Sequence, residues 1–290
     1  EPAAGVGRIF GLMPENLRGE VALYGVELDA ISGGILKQLY PDANIQVKGF
    51  EQAAGLGNNT VDVVVTNVPF GSYPVLDKNH PDYSGWRIHN YFIARSIDSV
   101  RPGGLVVVIT SRWTMDALSN AEKRQYLAGK ADLLGAIRLP KTAFSKDAGT
   151  EVVADILIFR KKTANQISEE KRNAFRSSVK IDLPGEIKLT TDMVKAADTE
   201  VVERVMEATS INEYFIAHPE MVLGKHSLTG SMRRGGEYIV EPTGDLVAQL
   251  EEAINRLPTN LMGERKAESK LPSLIADEKT RENSFVVKDG

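Results

Sequence analysis

The sequence predicts an α/β fold: a doubly wound, mostly parallel sheet followed by a mainly helical C-terminal extension. Two observations carry this. Short β-branched runs, with VDVVVT at 61–66 and LVVVI at 105–109 the strongest, alternate with helical patterns through the first half of the 290 residues. Strand–helix alternation gives parallel strands covered on both faces by helices. The strand-like runs then stop near Phe159, and the balance of charge changes there. Up to residue 163 there are 18 Lys and Arg against 17 Asp and Glu; beyond it, 17 against 22. The boundary is therefore expected at 163, giving a core at 1–163, a helical extension or linker at 164–257, and a polar, poorly ordered tail at 258–290.

The elements of the core follow in order. Val21 to Glu27 reads as a strand, and Ala30 to Tyr40 as a helix closed by Pro41. Ile45 to Phe50 is a weaker strand, and Val61 to Thr66 a buried one. His89 to Val100 spaces Tyr91, Ile93, Ala94, Ile97 and Val100 as a helix does, and Arg101-Pro102-Gly103-Gly104 ends it. Leu105 to Ile109 is a further buried strand and Ala121 to Ala128 a helix. Leu133 to Leu139 and Val152 to Phe159 are the last strands; no helical pattern separates them, so one of the two is expected to be antiparallel. In the second half, Val201 to Ala208, Ile211 to His218 and Leu246 to Leu257 read as helices, and Met232 to Val240 as a small hairpin.

Composition excludes several classes. A hydrophobic fraction of 42% can bury a core. No apolar run approaches about 18 residues, so no membrane partner is expected. There is no Cys, which removes disulfides and thiolate zinc sites, and four scattered His do not make a metal centre. The net charge of −4 rules out a globally basic nucleic-acid binder, leaving a local patch for any such contact. No signal-peptide pattern opens these residues, and the cytoplasm is the expected compartment.

Two constellations carry chemistry. Gly5-Val6-Gly7 lies 20 positions before Glu27, which ends a strand. Glycines let a backbone turn approach a nucleotide-like ligand, and an acid about 20 residues further on can hold ribose hydroxyls. A dinucleotide-binding third glycine is missing, since Phe10 stands in its place, which leaves a mononucleoside. The second constellation is Asn67-Val68-Pro69-Phe70-Gly71, directly after the VDVVVT strand. The Asn67 side-chain oxygen and the Val68 carbonyl are two acceptors beside an aromatic face, which suits a planar amine such as an adenine edge.

These stretches, with LYGVELD, RPGGLVVVITS and LLGAIRLPKTAF…GTEVVADILIF, resemble N6-adenine DNA methyltransferases that use S-adenosylmethionine. The likeness is to type I modification subunits and to methylase modules of large phage- or plasmid-type proteins that also carry a helicase. It covers residues 1–163 and extends more weakly into 211–224. The resemblance implies a seven-stranded methyltransferase-type sheet, DNA as partner, and a helicase region in the same parent polypeptide. It also implies that a first strand and a closing helix or loop precede Glu1, so that this chain is a fragment whose sheet has a gap.

By the same resemblance, Glu1, Gly5 and Gly7 line the methionine end of the cofactor, Glu27 holds the ribose, and Glu51 faces the cofactor adenine. Asn67 and Val68 hold the substrate amine, Pro69 stiffens the turn, Phe70 stacks on a flipped base, and Phe144 contacts that base. Val68 departs from the commoner N-P-P-F/Y turn but keeps its carbonyl. RNA or a protein glutamine amide stays open as acceptor, and so does a degenerate module that only binds DNA. Arg138, Lys141 and Lys146 are equally readable as a phosphate-contacting group or a solvated edge; Trp86 and Trp113 read as packing residues.

Overall fold

The computed structural model describes residues 1–163 apart from Arg18, then Phe175, 178–181, 185–186, 209–231, 235–263, 274–275 and 286–287. The expected helix over 201–208 and most of the expected tail lie outside these residues; the tail's described parts are 258–263 and a strand pair, Leu274–Ile275 with Val286–Val287.

The core is an α/β sheet in two pieces. Strands β1 (Tyr24–Glu27) and β2 (Asn44–Val47) pair in parallel, with helix α1 (Ala30–Leu39) between them in sequence. The Asp29 carboxylate caps α1 by accepting the Ser32 N–H at 2.7 Å. The second piece holds β3 (Val61–Asn67), β4 (Val100–Ser111), β5 (Ala131–Arg138) and β6 (Ala154–Lys161), in the order β3-β4-β6-β5. β3 and β4 are parallel, and β6 inserts antiparallel between β4 and β5. This is the antiparallel member expected where no helix separates two strands, and it puts the carboxyl ends of β3, β4 and β5 on one edge.

Helix α2 (Ile88–Ser99) is buried along its whole length although it carries Asn, Arg, Asp and Ser. Several of its polar groups are paired, while Arg95 Nε and the Ser96 hydroxyl have no partner among the described residues. Arg95 donates to the Leu56 carbonyl at 2.6 Å, and Asp98 accepts from the Tyr83 hydroxyl and the Lys130 ammonium at 3.0 and 2.7 Å. Burial without such partners would cost several kcal/mol per group. Helix α3 (Ala121–Lys130) supplies that lysine.

The described part of 164–257 is richer in strands than its helical reading. β7 (Ser178–Ile181) pairs with β9 (Thr209–Asn212), and β10 (Lys225–Ser231) with β11 (Gly235–Glu241) and with β8 (Gly185–Glu186). The hairpin falls earlier than Met232–Val240, because it needs Lys225–Ser231 as its first arm. The helix expected over 211–218 begins later, as α4 (Glu213–Ala217): Asn212 is its cap, accepting the Tyr214 N–H at 3.0 Å, so the residues before it are free to pair as strand. Helix α5 (Leu246–Asn255) follows. These pieces are welded to the core. Leu223 donates to the Arg138 carbonyl at 2.9 Å, Lys141 to the Val240 carbonyl at 3.0 Å, and Asn212 to Asp116 at 3.0 Å.

β1 and β3 are not paired with each other. Residues 1–4 run beside β1: the Val26 N–H reaches the Glu1 carbonyl at 2.9 Å and the Ala4 N–H reaches the Val26 carbonyl at 3.0 Å. On β3, Val64 and Thr66 are buried while Val63 and Val65 are exposed.

Candidate active site

A cavity of about 720 Å³ opens at the carboxyl ends of β1 and β2. Glu27 and Leu28 form one wall, Glu51 and Phe50 another, Pro2 and Ala3 the floor, and Pro69 and Tyr73 the side toward β3. Of the residues expected to hold a cofactor, Glu27 and Glu51 line this cavity directly. Glu27 is already engaged: Oε2 accepts the Gly5 N–H at 2.7 Å and Oε1 the Asp29 N–H at 2.8 Å. It therefore staples the glycine turn to the end of β1 while facing the cavity. Glu51 accepts the Gln52 amide at 2.9 Å.

The two turn glycines do different work. Both have left-handed backbones, Gly5 at φ 53° and Gly7 at φ 88°. Gly5 has open space where a Cβ would stand. At Gly7 the Tyr40 ring and Leu36 occupy that space, and the Tyr40 hydroxyl donates to the Gly7 carbonyl at 3.0 Å. Gly7 is thus required by packing against α1, and neither Gly5 nor Gly7 lines the cavity, contrary to the expectation that both would.

Glu1 lies beside Glu27 with its side chain half-buried, and its Oε2 has no hydrogen-bond partner among the described residues. Burial pushes its carboxyl up to about 7; the chain's own amine opposes the shift and the Glu27 charge adds to it. Glu1 does not line the cavity.

The turn after β3 stands next to this cavity. Val68 donates its N–H to the Ile109 carbonyl at 3.0 Å and is buried, which fixes the chain as it leaves the sheet. Asn67 is exposed, with no side-chain partner among the described residues, and Phe70 is exposed too. His89, buried at the start of α2, bonds to the Gly71 backbone, and burial, with the Arg87 charge adding, holds its pKa below the ordinary histidine value. His89 therefore positions the turn. Phe144 is half-buried in a cluster with Leu139, Met221 and Leu223, on the β5 side of the sheet.

Two sequence readings change. Arg138 contacts no solvent. Its Nε and Nη2 bind Asp155 at 2.8 and 2.9 Å, Nη2 also reaches Asp116 at 2.9 Å, and the guanidinium lies over Phe215. A carboxylate directly across the sheet, Arg138 against Asp155, makes it a core ion pair and not a phosphate contact. Trp113 is not a packing residue: it is 53% exposed. Trp86, by contrast, packs on Tyr83 and Tyr126. Pro74, Val75 and Leu76 also line the cavity, and nothing in the sequence points to them because loop residues carry no periodicity that would place them; Ile88 and Phe92 reach it from α2.

Among the described residues, no cluster of His, Asp and Glu could hold a metal ion, and no helix is long and apolar enough to cross a membrane.

No family model matches this chain. Over 168 residues, 57% of its length, it is 33% identical to the "Defense against restriction protein B" of Escherichia phage P1. The chain is similar to a phage defence protein. It spans 7% of the length of that relative. Among solved structures it is similar to a putative class I S-adenosylmethionine-dependent methyltransferase from Listeria monocytogenes, at 20% identity and TM-score 0.48, over 58% of this chain and 55% of that one. It is also similar to a modification subunit of a putative type I restriction enzyme from Vibrio vulnificus, at 15% identity and TM-score 0.45, over 87% and 56% of the two chains. A third is the type I restriction enzyme EcoKI M protein, at 14% identity and TM-score 0.43, over 88% and 64%.

Proposed function

We propose that this chain is the catalytic module of an S-adenosylmethionine-dependent methyltransferase that modifies the exocyclic N6 amine of a flipped adenine in DNA, within a larger protein that also carries a helicase region. The observation that carries this reading is the Asn67–Phe70 turn at the carboxyl edge of β3, with Asn67 and Phe70 exposed and Pro69 lining the cavity walled by Glu27 and Glu51.

The residues present fit the cofactor. The cavity lies within the usual range of about 300–1,000 Å³ for small-molecule sites. The remaining lone pairs of Glu27 suit ribose hydroxyls. Apolar Leu28 and Phe50 suit the faces of its adenine, with Glu51 at the ring's edge. When bound there, S-adenosylmethionine supplies an electrophilic sulfonium methyl.

The chain's own residues supply orientation. An exocyclic amine is a poor nucleophile because its lone pair is delocalised into the ring. The Asn67 side-chain oxygen and the Val68 carbonyl would accept its two N–H groups, favouring positive charge on that nitrogen and fixing the line of attack. Phe70 would stack on the extruded base, offsetting a flipping cost of a few kcal/mol. The same matched stretch in a phage protein named for defence against restriction fits a module that marks DNA.

The test is methyl transfer from labelled S-adenosylmethionine, with duplex DNA, RNA and glutamine-bearing protein offered in parallel. Label on adenine in DNA supports the reading. Label on RNA or protein moves the acceptor. No transfer to any of them, with the cofactor bound, leaves a module that binds without catalysis.

A further inference from the structure

Trp113 follows β4, the strand hydrogen-bonded in parallel to β3, so it stands at the same carboxyl edge of the sheet as Asn67 and Phe70. A tryptophan that is 53% exposed is costly to leave in water, and this one is held in place from several sides. The Arg112 guanidinium lies 3.7 Å from the centre of its ring and 4.7 Å from that of Tyr238, so Arg112 makes cation–π contacts with both rings. Arg112 is itself buried and is paired with Asp116 at 3.2 Å, and Asp116 is tied to Arg138. The backbone is fixed as well. The Trp113 N–H reaches the Ser111 hydroxyl at 3.2 Å, the Asn120 amide donates to the Trp113 carbonyl at 2.9 Å, and Asn90 of α2 donates to Asn120 at 3.1 Å.

Arg112 thus holds the indole from one face, and about half of a large rigid aromatic side chain stays open to solvent. Such a surface, pre-ordered at almost no further entropic cost, is what unpaired bases stack on irrespective of sequence.

We infer that Trp113 is a stacking platform for a second unpaired nucleobase of the substrate strand, distinct from the base whose amine Asn67 and Val68 would hold. The inference rests on the nucleic-acid reading above, and it is separable from the methyl-transfer reading because it concerns binding alone.

The experiment uses the full 290-residue chain. Trp86→Phe leaves Trp113 as the single tryptophan, and its fluorescence is followed while single-stranded oligonucleotides are added. Base stacking quenches it; in Trp113→Phe, where Trp86 remains, the same titration should leave the signal nearly unchanged. Trp113→Ala should weaken oligonucleotide binding about tenfold or more, and Trp113→Phe much less. Binding of S-adenosylmethionine by Trp113→Ala should be unaffected, which also shows that the variant folds. An unquenched Trp113, or an affinity unchanged in Trp113→Ala, overturns the platform even if methyl transfer is found. A quenched Trp113 with no methyl transfer to DNA or RNA keeps the platform and sinks the catalytic reading. A chain that binds no oligonucleotide sinks both.

Discussion

Arg138 and Asp155 face each other on neighbouring strands with no solvent access, joined by two parallel hydrogen bonds of 2.8 and 2.9 Å. The same guanidinium reaches Asp116, whose carboxylate accepts the Asn212 N–H, and Asn212 in turn donates to the Met115 carbonyl. The ion pair therefore ties the end of β5 to the start of β6 and to the strand at 209–212. Arg138→Ala leaves two buried carboxylates with less compensation and should lower stability by about 3–5 kcal/mol. Urea unfolding measures this. A loss under about 1 kcal/mol would mean the network is dispensable.

Glu27 is asked to do two jobs, and its substitutions separate them. Glu27→Gln keeps one acceptor oxygen for a backbone N–H but loses the charge; Glu27→Ala loses both tethers to Gly5 and Asp29. If ribose binding depends on the carboxylate, both variants should bind S-adenosylmethionine about tenfold or more weakly. Only Glu27→Ala should also lower the melting temperature clearly. Calorimetric titration beside a thermal melt reads both; parental cofactor affinity in Glu27→Ala would remove it from the ribose site.

Asn67 offers a cleaner case, because its side chain is exposed with no hydrogen-bond partner among the described residues, and its loss should not disturb the fold. Asn67→Ala should cut methyl transfer by roughly 10²–10³-fold, the usual effect of deleting one oriented polar group, with cofactor affinity nearly unchanged. Single-turnover rates with the parent protein alongside decide it, and a variant within threefold of the parent would exonerate Asn67.

The contrast between these residues shows what the sequence could and could not reveal. Glu27 and Asn67 were legible because each ends a strand, where period-two patterning fixes position and the following residues leave the sheet. The strands themselves were legible for the same reason, since Val63 to Val65 and Leu105 to Ile109 have few alternatives. Arg138 also ends a strand, but its pairing with Asp155 depends on an antiparallel register across 17 residues of chain, which no local pattern encodes. Trp113 looked like core because indoles usually are. Its exposure follows from the turn between Ser111 and Asp116, which turns Thr114, Met115 and Asp116 inward. In the strand-rich part of 164–257, β7 pairs with β9, a partner far along the chain that overrides helical patterning.

His89 gives the stability of the turn a pH dependence. Burial, reinforced by the Arg87 charge, keeps its pKa below the ordinary histidine value, and His226 is shifted the same way by burial and the Arg138 charge. Well above about pH 6.5 both folded and unfolded chains carry these rings neutral and there is no effect. As the pH falls through about 6.5, the unfolded chain takes up protons at these rings that the folded protein does not, so their contribution to stability drops with falling pH; the raised Glu1 carboxyl works in the opposite sense over the same range. The test is therefore a difference: between pH 7.5 and 5.5 the urea midpoint of His89→Gln should fall less, or rise more, than that of the parent. A variant with the parent's pH dependence would show that the His89 ring titrates normally.

The uncovered face of β3 leads to the last prediction. β3 is paired on one side by β4, and among the described residues nothing pairs with its other edge, which faces the β1–β2 piece. Val63 and Val65 stand exposed on one face, at 41% and 36%, and Ile31, Ile35 and Leu39 repeat at helical spacing on the exposed side of α1. A strand edge with free N–H and C=O groups beside bare valines is a template for pairing with another chain. The 290-residue chain should therefore self-associate as its concentration rises, and a double substitution Val63→Lys with Val65→Lys should suppress it, because lysines on an edge strand oppose edge-to-edge pairing. Sedimentation velocity over a concentration series reads this directly. A strand seated between β1 and β3 would satisfy both edges at once and remove the association without any lysine. Should the unsubstituted chain stay monomeric throughout, the edge is not open in solution, and the gap between the two pieces of sheet must be closed by residues of the chain itself.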